Sequence, residues 1–192
     1  MRAQCTMTVL LWLGIGCASG QTPSLGREHG EGPGPVPSQP ELRVPASIRT
    51  EHEHLHHQLE AAIAAGGKTG DAAKAVADVL APHFEDEEAY AMPPLGLLGP
   101  LARGEPLRDE QVRQAIAMAE RLRTDYDRML AEHVQIHSEL SALAVAAREE
   151  HEEGHATFAE ALIRHAESEE ELLYPTTLLI GKYLELRRGP EK

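Results

Sequence analysis

Cysteine is almost missing from this 192-residue chain: there are two, Cys5 and Cys17, and both precede residue 20. The remainder therefore has no disulfide, no thiolate metal ligand and no iron–sulfur cluster. Aromatic residues make up only 4%, so a core has to be assembled from Leu, Ala, Val and Ile. Basic residues are outnumbered, 18 Lys and Arg against 31 Asp and Glu, for a formal net charge of −13. That balance excludes nucleic acid and an anionic lipid surface as partners, and it suits a protein that attracts cations. No apolar run approaches the roughly 20 residues that a membrane span needs.

The longest apolar run, Met7 to Cys17 (MTVLLWLGIGC), follows Arg2 and precedes small residues. It reads as an export signal over residues 1–20. Gly14-Ile15-Gly16-Cys17 resembles a bacterial lipoprotein box, which would make Cys17 a lipid anchor. The other ending is plain cleavage near Ala18-Ser19-Gly20. Either way the expectation is an exported protein of a bacterium, periplasmic or held to the membrane as a lipoprotein. Residues 21–45, with GEGPGPVPSQP at their centre, are too poor in large apolar groups to offset chain entropy and read as a disordered linker. His29 within it is a bystander.

Histidine is the residue in surplus, with eleven. The stretch EHVQIHSEL at 132–140 places His133 and His137 one helical turn apart on an otherwise apolar face carrying Ile136, Leu140 and Leu143. Buried imidazoles without partners cost on the order of 2–7 kcal/mol each. One such pair by itself describes ordinary core histidines bonded to polar neighbours; three further helices alter that reading.

A first helical pattern runs from Ala46 to Ala65 and stops at Gly66-Gly67, with His52, Leu55, His56, Leu59 and Ile63 facing inward. A second runs from Asp71 to Met92, ahead of Pro93-Pro94, and faces Ala73, Val76, Leu80, His83, Glu87 and Tyr90 inward. Pro82 should loosen the turn before His83. A third runs from after Pro106 to about Glu150. A fourth spans Gly154 to Tyr174-Pro175, presenting His155, Phe158, Leu162, His165, Glu169 and Leu172. Short connections make neighbouring helices antiparallel. Counting at 1.5 Å per residue then brings His52/His56, His83/Glu87, His133/His137 and His165/Glu169 to one level. The fold expected is all-α, an up–down antiparallel four-helix bundle over residues 46–188 that includes a short C-terminal fifth helix.

Six histidines and two glutamates exceed the needs of one tetrahedral ion and point to two metals. Imidazole and carboxylate without sulfur suit iron, with manganese, zinc and copper as alternatives. The Glu-x-x-His signature of other two-metal bundles is missing: Leu80, Leu130 and Leu162 stand three residues before His83, His133 and His165.

With these residues in place, the chain resembles the hemerythrin-like (HHE) family. The matching segments are EHEHLHHQL at 51–59, PHFEDEE at 82–88, EHVQIHSEL at 132–140 and HAESEEELLYP at 165–175. The resemblance implies a non-haem di-iron centre with five histidines and two bridging carboxylates. Carried over, the ligands are His83 and Glu87, His133 and His137, and His165. His52 or His56 comes from the first helix. Glu169 is the last carboxylate, one residue before the Glu170 position that the family's oxygen carriers use for an Asp. His54, His57 and His151 are expected to be bystanders.

The expected function is to bind, carry or sense O₂ or a related diatomic. The alternatives are a di-iron oxidase or reductase acting on Fe(II), peroxide or nitric oxide, and a metal-buffering bundle. No substrate pocket or general base is legible, and the oligomeric state is left open. Leu80, Leu130, Phe84 and Phe158 are candidate pocket walls, with Tyr90 and Tyr126 as candidate polar groups among them. The third helix outruns its neighbours by far. PPLGLLGPL at 93–101 and a fifth helix carrying Leu178, Leu179, Tyr183 and Leu186 are expected to cover its overhanging stripe (Val112, Ile116, Ala119, Leu122). The alternative cover is a dimer seam.

Overall fold

Glycine and proline punctuate the chain where its helices end. The computed structural model describes residues 42–189, so the expected signal segment, Cys17 and His29 lie outside the described residues. Helix α1 (Ala46–Ala65) ends at Gly66, and α2 (Gly67–Asp86) follows at once. A π-helical turn (Glu87–Ala91) and a 3₁₀ turn (Pro93–Leu97) lead to the short α3 (Leu98–Ala102). Helix α4 (Asp109–Glu149) runs 41 residues, about 60 Å at the usual rise. Helix α5 (Glu153–Ser168) passes through a second π-helical turn (Glu169–Leu173) directly into α6 (Tyr174–Arg188).

Residue pairings give the directions of the helices. Lys68 meets Glu149, His83 meets Glu132, and Tyr90 meets Asp125, so α2 and α4 run in opposite senses. Arg148 with Glu160, and His133 with Glu170, show the same for α4 and α5. Helices α1, α2, α4 and α5 contact one another in that cyclic order. The start of α2 is held by Glu150, whose carboxylate accepts the Lys68 and Thr69 backbone N–H groups at 2.9 Å each. It thereby satisfies two of the donors that a helix start leaves unpaired, at the end where negative charge is favoured. Gly67 makes the approach possible: at φ +60° a Cβ would come within 2.6 Å of that carboxylate.

Two apolar clusters fill the interior. One joins Leu55, Leu59, Val76, Leu80, Ile136, Leu140, Phe158 and Leu162. The other joins Leu42, Tyr90, Met92, Leu95, Leu97, Leu122, Met129, Ile180 and Leu184. Along α2 and α4 the clusters lie on opposite sides of His83–Glu87 and His133, so a polar layer divides the core.

The second cluster covers the long α4 with the 93–101 segment and α6, as the overhang requires. The face of α6 that does so differs from the expected one. Thr177, Ile180, Gly181 and Leu184 are buried, Leu178 is half-buried, and Leu179, Tyr183 and Leu186 are exposed. Leu172 is likewise exposed, not inward, and His155 is only half-buried. For Leu172 and the residues after it, the π-helical turn is the cause. It inserts one residue into the helical repeat, so the face after Glu169 rotates by about 100° and Tyr174 turns in where Leu172 was expected. Pro175 does not end the fourth helix: the chain passes through the π-helical turn straight into α6, with Pro175 in the first turn of that helix. At the other end, Leu42 is buried and Val44 packs beside it, so residues 42–45, expected as part of a disordered linker, belong to the packed bundle.

Candidate metal centre

Each of the four ring-forming helices sends one histidine into the polar layer: His52, His83, His133 and His165, all buried. Each imidazole is held at Nδ1 by a glutamate from the next helix. Glu132 lies 2.9 Å from His83, Glu170 2.9 Å from His133, Glu51 3.2 Å from His165 and Glu88 3.4 Å from His52. The order closes on itself: the π-helical turn that ends α2 serves α1, α4 serves α2, the π-helical turn that ends α5 serves α4, and α1 serves α5. A carboxylate at Nδ1 holds the proton there and presents a bare Nε2 lone pair on the other side of the ring, the tautomer a metal requires.

All four Nε2 atoms point at the same small volume, which two fully buried carboxylates share. Glu87 Oε1 lies 3.5 Å from His83 Nε2, and its Oε2 lies 4.0 Å from His52 Nε2. Glu169 Oε2 lies 3.5 Å from His133 Nε2, while its Oε1 lies 3.5 Å from His52 Nε2 and 2.9 Å from His165 Nε2. Two donor clusters result, His83/Glu87/His133/Glu169 and His52/His165/Glu169, each compact enough for one cation.

These contacts are poor hydrogen bonds. His52 Nε2, His165 Nε2, Glu87 Oε2 and Glu169 Oε1 are buried with no hydrogen-bond partner; the 2.9 Å His165–Glu169 approach is misaligned for one. His83 and His133 face each other Nε2 to Nε2 at 2.8 Å, where at most one carries a proton. Orphaned acceptors and opposed lone pairs around a shared centre are what a cation would satisfy, so this donor set fits metal.

The charges show the same tension. Burial lowers the His165 pKa, but Glu169 beside it outweighs that and lifts it to about 9. Burial raises Glu169, and the pull of His165 and His52 overcomes it, down to about 2. Glu87 is pushed up by burial and by the Glu169 charge, as expected when two carboxylates share one site. His133 is pushed down by burial and by His83.

Of the eight residues proposed from sequence, His52, His83, Glu87, His133, His165 and Glu169 are brought together. His56 and His137 are not: the His56 side chain is 64% exposed beside Glu60, and His137 lies half-buried in a surface groove. On α1 the buried line runs through His52, Leu55, Leu59 and Ala62. At 100° per residue His56 stands about 80° off the middle of that line. His137 is displaced equally from His133, Ile136, Leu140 and Leu143.

The sequence reading missed Tyr174 and the roles of Glu51, Glu88 and Glu132. A signal for the glutamates exists. Glu-His recurs at 51–52 and 132–133, and His-x-x-x-Glu-Glu recurs at 83–88 and 165–170. Tyr174 is fully buried and donates to Glu87 Oε1 at 2.5 Å. Tyr90 and Tyr126 do not enter the layer: the Tyr90 hydroxyl bonds Asp125, and Tyr126 stands edge-on behind Tyr174.

The family model described as Hemerythrin HHE cation binding domain matches residues 44–177. No curated protein and no solved structure gave a match.

Proposed function

The chain belongs to the hemerythrin HHE cation-binding family, and from that premise we propose that it is a non-haem di-iron protein that binds O₂ or a related diatomic. The observation that carries this reading is the division of the two central carboxylates. Glu87 turns Oε1 toward His83 and Oε2 toward His52, and Glu169 turns Oε2 toward His133 and Oε1 toward His52 and His165, so each carboxylate reaches both histidine pairs. Two ions, one per histidine pair, would then be bridged by Glu87 and Glu169, which also offset part of their charge. Bound iron supplies the redox and ligand-binding chemistry. The protein's part is to fix the donors, through Glu51, Glu88, Glu132 and Glu170, and to exclude bulk water. Phe84, stacked on His52 with ring centroids 4.4 Å apart, walls one side.

One observation favours the oxidase or reductase reading over a carrier. Reversible diatomic binding is best served by surroundings without a proton donor, and the Tyr174 hydroxyl, for as long as it keeps its proton, is such a donor inside the layer. The deciding experiment loads the protein with Fe(II) under argon, counts the metal, and follows the optical spectrum on admitting air. About two irons per chain with a stable, reversible band support carriage. Rapid irreversible oxidation supports an enzyme, and metal uptake without any band supports buffering. Export, with or without a lipid on Cys17, remains our proposal for location; among the described residues no helix is long and apolar enough to cross a membrane. Cell fractionation tests it, and recovery of the intact chain from the cytoplasm would refute it.

A further inference from the structure

Tyr174 is placed as a donor to the centre and not as packing beside it. Its hydroxyl oxygen lies 2.5 Å from Glu87 Oε1 and 3.3 Å from the Nε2 atoms of both His83 and His133. The two nitrogens are themselves 2.8 Å apart. Donors held about 2.1 Å from one ion, at neighbouring corners of its polyhedron, lie about 3 Å from each other. The phenol oxygen thus occupies a corner next to three donors of the same cluster. A buried hydroxyl with a single carboxylate partner would need no such position relative to two imidazole lone pairs.

We propose that Tyr174 is a phenolate ligand to the ferric ion held by His83 and His133, an assignment that rests on the di-iron reading above. When it binds, the phenol O–H bond breaks as the oxygen–iron bond forms, and the proton leaves to water; no electron moves. The internal repeat makes the centre lopsided. Tyr174 stands five residues after Glu169, and the residue five after Glu87 is Met92, which has no oxygen to offer. The His83/His133 position is therefore closed by the protein, and the His52/His165 position is the one left to an incoming diatomic.

The test is the visible spectrum of the full chain loaded with Fe(II) and then oxidised in air. A phenolate-to-iron charge-transfer band is expected, with tyrosinate ring vibrations enhanced in the resonance Raman spectrum excited within it. Tyr174→Phe should abolish both while keeping the iron count. The chain has four tyrosines, so a Y90F/Y126F/Y183F triple variant assigns the band without touching Tyr174, and it should keep it. Iron-loaded protein with no such band, or a band lost from the triple variant, overturns the assignment and leaves the di-iron reading standing. A chain that takes up no iron overturns both.

Discussion

An imidazole bonded at Nδ1 to a carboxylate is a stronger and better-aimed ligand than a free one, which makes the four outer glutamates individually testable. Replacing Glu132 by Ala should weaken iron binding roughly 10- to 100-fold, the usual cost of losing such a partner, as read by competition with a chelator. His56→Ala should leave both affinity and stoichiometry unchanged. A loss of iron in that variant would mean that α1 presents a different face from the one described. The pH response of the cation-free protein follows from the buried pair. His165, raised to about 9, contributes stability that is full below its unfolded value of about 6.5 and is lost as pH climbs through about 9. Glu169, lowered to about 2, contributes above its unfolded value of about 4.3, and this is lost as pH falls through about 2. With chelator present the melting temperature should be higher near about pH 6 than near about pH 9. Bound metal, by removing the proton from His165, should flatten that difference.

At the scale of elements, what could be read in advance was whatever repeats regularly. Unbroken apolar spacing located α1, α2, α4 and α5 to within a few residues, and His52, His83, His133 and His165 fall on those stripes. His56 and His137 were misjudged because a four-residue step resembles one face until the neighbouring apolar residues are counted. The inward turn of Tyr174 was hidden for another reason. A π-helical turn is a local change of period, and nothing in EEELL at 169–173 distinguishes it from an ordinary helical turn. The same turn sets how α6 lies on α4. There Gly181 passes so near Ala119 that an added Cβ would stand 2.3 Å from its methyl group. Gly181→Ala should therefore cost about 1–3 kcal/mol as overpacking, measured by urea unfolding. An unchanged midpoint would show that α6 is free to shift. Glu150→Gln, which weakens the cap on α2, should lower the melting temperature without altering metal content.

Across the whole molecule, the closed circuit of glutamates and histidines ties every helix of the ring to two others. Helix α1 receives Glu88 at His52 and gives Glu51 to His165, and α4 receives Glu170 at His133 and gives Glu132 to His83. No helix can swing away alone. Doing so strands one buried imidazole on a neighbour, exposes its own to water, and breaks two links at once. Motion near the centre should accordingly be collective. Amide hydrogens flanking His52, His83, His133 and His165 should exchange with deuterium at a common rate set by one shared opening, while those at the far ends of α4 and α6 exchange sooner and independently. Loading with iron should slow the shared class and leave the end residues where they were. Four distinct rates around the centre would mean that the circuit is broken in solution.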